Sequence, residues 1–187
     1  MCIRDRNQLN PNQGIPPSHE PGPLVSGRWN YHNGLSSQFP VESIRVVYAK
    51  AGTQPASCLV HDSKAACDHM LYWTKIRDER EGRFLVAILN SETIRARTAS
   101  LQARGQWGAR HFDKVMFNLP IPRFDAAVPL HMELAAAAAE AEQAAAAVDI
   151  PERAGFQRAR RLVRGALAEA SIAQRIDALV TRLLDRS

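Results

Sequence analysis

The chain lacks most of the features that mark a catalytic or membrane-bound protein. Its three cysteines, Cys2, Cys58 and Cys67, cannot all pair and show no disulfide-framework spacing. A reducing, cytoplasmic setting is therefore expected. No apolar run approaches the roughly 20 residues needed to cross a membrane. Residues 1–25 have no apolar centre of the kind a secretory signal requires. There is no Gly-x-Ser-x-Gly elbow, no His-Glu-x-x-His and no Walker loop. His111 and Asp113 lie close together, but without a nucleophile or a metal set they do not make a site. Cys58, His61, Cys67 and His69 are zinc-ligand residue types. Their spacing matches no common finger and includes no Cys-x-x-Cys, so ordinary buried thiols and exposed histidines are expected.

What is present is ordinary in amount and informative in placement. The 187 residues are 45% hydrophobic and 23% charged, which suits a soluble globular unit of one domain or one and a half. The alanine-rich part buries little area per residue. A net charge of +5 is modest, so its position matters more than its size. The first six residues, Met-Cys-Ile-Arg-Asp-Arg, look like translated sequencing adaptor, a familiar start in metagenomic reading frames. They are set aside from fold reasoning, and the chain is expected to be a fragment whose true N-terminal portion is missing.

Residues 7–40 are rich in Pro, Gly, Asn and Ser, which punctuate turns. Residues 1–40 are read as an irregular segment that Trp29, Tyr31 and Phe39 could anchor to a core. Residues 43–50, 57–61 and 68–76 read as strands. From Glu81 the period changes to helical, with Phe84, Leu85, Ile88 and Leu89 on one face. Thr93, Ile94 and Leu101 can extend that face, giving a helix over 81–102. Val115–Leu119 reads as a short strand closed by prolines. Helices are predicted over 129–148, with Pro129 at the start, over 152–169, and from Ser171 as N-cap onward. In the last, Ile172, Ile176, Leu179, Val180, Leu183 and Leu184 form an apolar stripe.

Two basic clusters stand out. Between Arg95 and Arg123 lie Arg95, Arg97, Arg104, Arg110, Lys114 and Arg123 with a single acid, Asp113, interleaved with Gln102, Gln106, Trp107 and His111. DNA readers use this mixture, Arg and Lys neutralising phosphates and Arg and Gln bonding base edges. By composition alone, a solvated turn with Trp107 packed back as an anchor is the stronger reading. The second cluster is Arg153, Arg158, Arg160, Arg161 and Arg164. It is predicted on the helix side opposite Phe156, Val163 and Leu167. That side could follow a phosphate backbone, or be a solvated face pairing with Glu140 and Glu142.

One ordered set of motifs adds to this. Phe84-Leu-Val-Ala-Ile-Leu-Asn-Ser91 is followed, after a Gly/Arg/Gln-rich loop, by Phe112-Asp-Lys-Val-Met-Phe-Asn-Leu-Pro-Ile-Pro122 and then by C-terminal helices. The order resembles the end of the target-recognition region of large adenine-N6 DNA methyltransferases from restriction-modification-like systems. The likeness covers roughly residues 41–187. It implies double-stranded DNA as partner, met by the basic loop: Arg104, Gln106, Arg110 and Lys114 first, with Arg95 and Arg97 as secondary phosphate contacts. Asn90 and Ser91 are expected to cap a helix turn and fix the loop.

The family's catalytic loops are missing. No Asn/Asp-Pro-Pro-Tyr/Phe motif is present to hold a flipped adenine, and no Gly-rich turn to hold S-adenosylmethionine. Ile15-Pro-Pro-Ser18 and Asn118-Leu-Pro-Ile-Pro122 do not substitute for it. No cofactor is therefore expected in this chain. S-adenosylmethionine and an N-terminal catalytic domain are expected in the full-length protein.

The expected fold is α+β. A small, mostly antiparallel sheet from residues 43–76, closed by 114–119, packs on the 81–102 helix, and a C-terminal three-helix unit follows. The parts are 1–40, a target-recognition-like 41–125, and a helical 126–187. The alternative function is a helical protein-interaction module, self-associating through the Ile172–Leu184 stripe, with the basic loop incidental.

Overall fold

The computed structural model describes residues 33–52, 55–101, 104–105, 108–109, 112, 116 and 119–185. Three strands form one antiparallel sheet: β1 (Arg45–Ala49), β2 (Ser57–Val60) and β3 (Leu71–Lys75). Their order is β2-β1-β3, with Val47 opposite Cys58 on one side and Trp73 on the other. The central strand is the β-branched Arg45-Val-Val-Tyr-Ala, as expected for a strand buried on both faces. Its pleat sends Val46 and Tyr48 into the main core. Arg45 and Val47 point to the opposite face and are buried as well.

The helical part begins at α1 (Glu79–Asn90). Asp78 caps it by accepting the Glu81 N–H at 3.0 Å. That bond holds the Asp78 carboxyl below its ordinary range. Gly82 lets the helix sit close to the sheet, since a Cβ there would overlap Leu59 and Ile76. The single helix expected over 81–102 is in fact two, with α2 spanning Glu92–Leu101. Ser91 makes the break: its Oγ donates to the Ile88 carbonyl at 2.7 Å and accepts the Ile94 N–H at 3.1 Å. A serine hydroxyl that bonds the backbone on both sides competes with the helical ladder. After the turn, Leu101 is exposed and does not extend the α1 face.

The C-terminal part is three helices: α3 (Pro129–Ala146), α4 (Phe156–Glu169) and α5 (Ile172–Leu184). Pro129 lies in the first turn of α3. The α4 helix starts later than its sequence suggested, because 151–154 forms a turn with Ala154 N–H donating to Pro151 O at 2.7 Å. Ser171 occupies the N-cap position of α5 but makes no side-chain cap; its φ is 56°, left-handed. Its N–H instead donates to Ala168 O at 3.0 Å and closes α4.

The fold is α+β, a three-stranded antiparallel sheet plus helices. One core joins Val46 and Tyr48 of β1, the apolar face of α1, Leu130 and Leu134 of α3, and Leu179, Val180, Leu183 and Leu184 of α5. The last stripe is therefore buried from Leu179 to Leu184, mainly on α3, and half-buried at Ile172 and Ile176. The strand expected at 114–119 is not present in the residues described there. Met116 N–H donates to Phe112 O at 3.1 Å, an i to i−4 helical bond. Phe112, Met116 and Leu119 are all buried, at helical rather than strand spacing. Phe39 is exposed, and its neighbour Gln38 is the anchor. Gln38 Nε2 donates to the Cys67 carbonyl at 2.6 Å, and its Oε1 accepts the Cys67 N–H at 2.8 Å. Trp29 and Tyr31 lie outside the described residues. No helix among the described residues is long and apolar enough to cross a membrane.

Candidate nucleic-acid interface

The basic loop contains a small hairpin. β4 (Arg104–Gly105) pairs antiparallel with β5 (Gly108–Ala109), Arg104 opposite Ala109 and Gly105 opposite Gly108. Gln106 and Trp107, which come between the two strands in the chain, lie outside the described residues, as do Arg110 and Lys114. For Arg104 the backbone position alone is described. The hairpin is tied down on its C-terminal side. Phe112 N–H donates to Lys50 O at 2.8 Å at the end of β1, and the Phe112 ring is fully buried.

Arg95 and Arg97 ride on α2, two residues apart, and so about 200° around the helix. They do not share a face. Arg95 pairs with Glu92. This hydrogen bond lowers the Glu92 pKa and raises that of Arg95. Arg97 reaches Asp185 at 3.3 Å. Both pairs are solvent-exposed, so either arginine could exchange its carboxylate for another anion at small cost.

The Leu89-Asn90-Ser91 turn that precedes this region is a clamp. Asn90 Oδ1 accepts the Ser57 N–H at 2.9 Å, and Asn90 Nδ2 donates to Ser57 O at 2.9 Å. One amide side chain thus pins the end of α1 to edge strand β2, while Ser91 caps α2. Ser91 caps the helix turn as expected, whereas Asn90 makes no cap and joins α1 to the sheet instead. Asp177 of α5, which sequence reasoning did not single out, accepts the Glu92 N–H at 2.6 Å. Its carboxylate meets the positive end of α2. No signal along the chain could reveal this, because the two residues come from separate helices.

The second basic cluster behaves differently from the first. Glu140 and Glu142 do not pair with it: Glu140 is taken by Arg175 and Glu142 by Arg83 at 2.9 Å. Among the described residues, Arg153, Arg158 and Arg161 have no acidic partner. Arg160 lies over the Phe156 ring at 5.2 Å. Phe156 is 70% exposed, although it was expected on the buried face of this helix. No residue of α4 is fully buried.

Other polar groups near the sheet are structural. Arg45 is 1% exposed and donates to the carbonyls of Asp62 and Ala65. Among the described residues no group of three or more His, Cys, Asp or Glu is placed to hold a metal. Cys67 is buried, but Cys58 is exposed rather than buried; partial burial still raises both thiol pKa values. His61 and His69 are exposed. The described residues do not fit S-adenosylmethionine. The described sheet is wholly antiparallel, and its one strand-to-helix connection, from β3 to α1, contains no glycine.

No family model matches the chain, and comparison with curated proteins and with solved structures finds no match either.

Proposed function

We propose that this chain is the DNA-recognition part of a S-adenosylmethionine-dependent adenine-N6 DNA methyltransferase, with methyl transfer carried by a catalytic domain that it does not contain. The observation that carries the reading is the ordered pair of motifs around a basic hairpin. The Leu89-Asn90-Ser91 clamp leads through α2 to the Arg104–Ala109 hairpin, which Phe112 roots on the sheet. A two-stranded antiparallel ribbon fits the major groove. Arg104, Gln106, Arg110 and Lys114 are the proposed contacts. Arg95 and Arg97 serve as secondary phosphate contacts once they release Glu92 and Asp185. Cytoplasmic placement goes with this reading.

The interaction-module alternative draws no support from the last helix. Leu179, Val180, Leu183 and Leu184 are spent inside the monomer core and are not available for self-association.

The test is fluorescence anisotropy with duplex DNA across a salt series. Affinity should fall steeply with salt, with a log–log slope of about −0.9 per phosphate contact. Arg104→Ala and Arg110→Ala should either flatten that slope by about one unit or relax sequence preference by about 1–3 kcal/mol. Arg182→Ala, on α5 and paired with Glu133 at 3.9 Å, should do neither. Three variants indistinguishable from the parent would remove the hairpin from the interface. Labelled S-adenosylmethionine and DNA should give no methyl transfer with this chain alone, and transfer above background would overturn the division of labour.

A further inference from the structure

The geometry points to the arginine side of α4, Arg158 and Arg161 with Arg153 just ahead of the helix, as a second surface for a nucleic-acid phosphodiester backbone, separate from the hairpin. It rests on nucleic acid being the partner of this chain, and adds a contact that the hairpin does not supply. The first ground is charge accounting. The neighbouring acids that could neutralise α4 are engaged elsewhere, Glu140 with Arg175 and Glu142 with Arg83. The arginines 153, 158 and 161 are exposed and have no carboxylate among the described residues. Arg164 is the exception, close enough to Glu92 to lower its pKa.

The second ground is that α4 is built against its own stability. Arg158 and Arg161 stand three residues apart, as do Arg161 and Arg164, and Arg160 and Arg164 four apart. At these spacings like charges repel along a helix. The first turn has no acid and no side-chain cap, and Arg158 stands in it, where the helix dipole is already positive. At Arg158 and Arg161, where no carboxylate among the described residues compensates, an external anion is expected. A polyanion relieves both terms together.

The partner is narrowed by what the rest of α4 does. Ala159, Leu162, Val163, Ala166 and Leu167 are half-buried against the body of the protein, with α3 and α5 as the helices in contact. That face is therefore not free to enter a lipid surface, as an interfacial amphipathic helix requires. Phe156 is the remaining apolar group, one ring face covered by Arg160. An exposed ring beside unpaired arginines is the combination on which single-stranded bases stack while their backbone is neutralised.

The experiment uses the full chain with a mixed-sequence DNA duplex, and separately one of its strands, in a salt series. Arg158→Gln/Arg161→Gln is compared with Arg80→Gln/Arg182→Gln. The second pair removes the same charge from arginines already paired with Asp78 and Glu133. The α4 pair should flatten the log–log salt slope by about 1.8, at about 0.9 per contact, and the control pair should leave it unchanged. Phe156→Ala weakening the single strand alone would identify that strand as the source of the phosphates. Should circular dichroism show that the double variant loses helix, Arg153→Gln, outside α4, carries the same test with a change of about 0.9. Equal effects of the two pairs, or none, would overturn the proposal. So would an unchanged nucleic-acid slope with lost binding to poly-glutamate or to anionic vesicles. Arg104→Ala in the same series keeps the two surfaces distinct: a silent hairpin with a responsive α4 removes the hairpin alone, and the reverse removes α4 alone.

Discussion

Leu134→Ala tests how this alanine-rich protein holds together. Leu134 is fully buried on α3, facing α1 and α5 with Leu130 as the other large aliphatic of that face. Its remaining buried neighbours on the helix are His131, Ala135, Ala137 and Ala138. Truncation removes three carbons from the core, about 2.4 kcal/mol at roughly 0.8 kcal/mol each. Any further loss depends on how far the surroundings collapse, and measured Leu→Ala costs reach about 5 kcal/mol where they do not. Alanine has no χ angle with which to swing into a void. The cavity should therefore stay largely open and the cost should approach about 4 kcal/mol, a large part of the roughly 5–15 kcal/mol total of a typical domain. In urea, with a slope of about 2 kcal/mol/M, the midpoint should move down by roughly 2 M. Leu134→Met, which keeps the volume, should cost under about 1.5 kcal/mol. A Leu134→Ala loss below about 2.4 kcal/mol would refute the argument, because the site would then be collapsing despite its alanines.

Two further perturbations follow from local structure. His131 is buried against Phe84 and Phe124, and its Nδ1 accepts the Asp125 N–H at 3.0 Å, a bond that needs the neutral ring. Burial pushes its pKa below the ordinary value. The unfolded chain therefore binds the extra proton first, and stability should be full above about pH 6.5 and fall as pH drops from there toward the folded pKa. His131→Phe should remove that part of the slope in a melting-temperature series from about pH 7.5 to 5, and parallel curves would refute it. Ser171 holds a left-handed φ of 56° without a side-chain cap. Ser171→Gly should stabilise the protein by about 0.5–1 kcal/mol after the entropy cost of glycine, raising the melting temperature by a few degrees; a lower one would show that the hydroxyl matters.

The elements legible in the sequence were those whose cause is local. β-Branched and aromatic residues around Val46 and Val47 marked a strand, the 84–89 period marked a helix, and the Ile172–Leu184 period marked an apolar stripe. In each case the pattern and the fold answer to the same periodicity. The misreadings came from side chains that bond out of pattern. Ser91 cut one helix into two by taking both the Ile88 carbonyl and the Ile94 N–H. Ser171 spent its N–H on ending α4 instead of capping α5 with its hydroxyl. Met116 and Leu119 looked like strand residues because apolar residues in a short run fit either period.

By itself, the sequence determined the α+β class, the order of sheet and helices, and the two places where basic residues gather, because composition and period are properties of the chain. Only the tertiary structure decided which of those charges are neutralised. Arg83, Arg97 and Arg175 find acids on other elements at positions no spacing rule reaches. Those pairings occupy the glutamates that α4 would otherwise have used. Whether an arginine is a strut or a free cation depends on who stands opposite it in space, and that is set by packing, not by sequence distance.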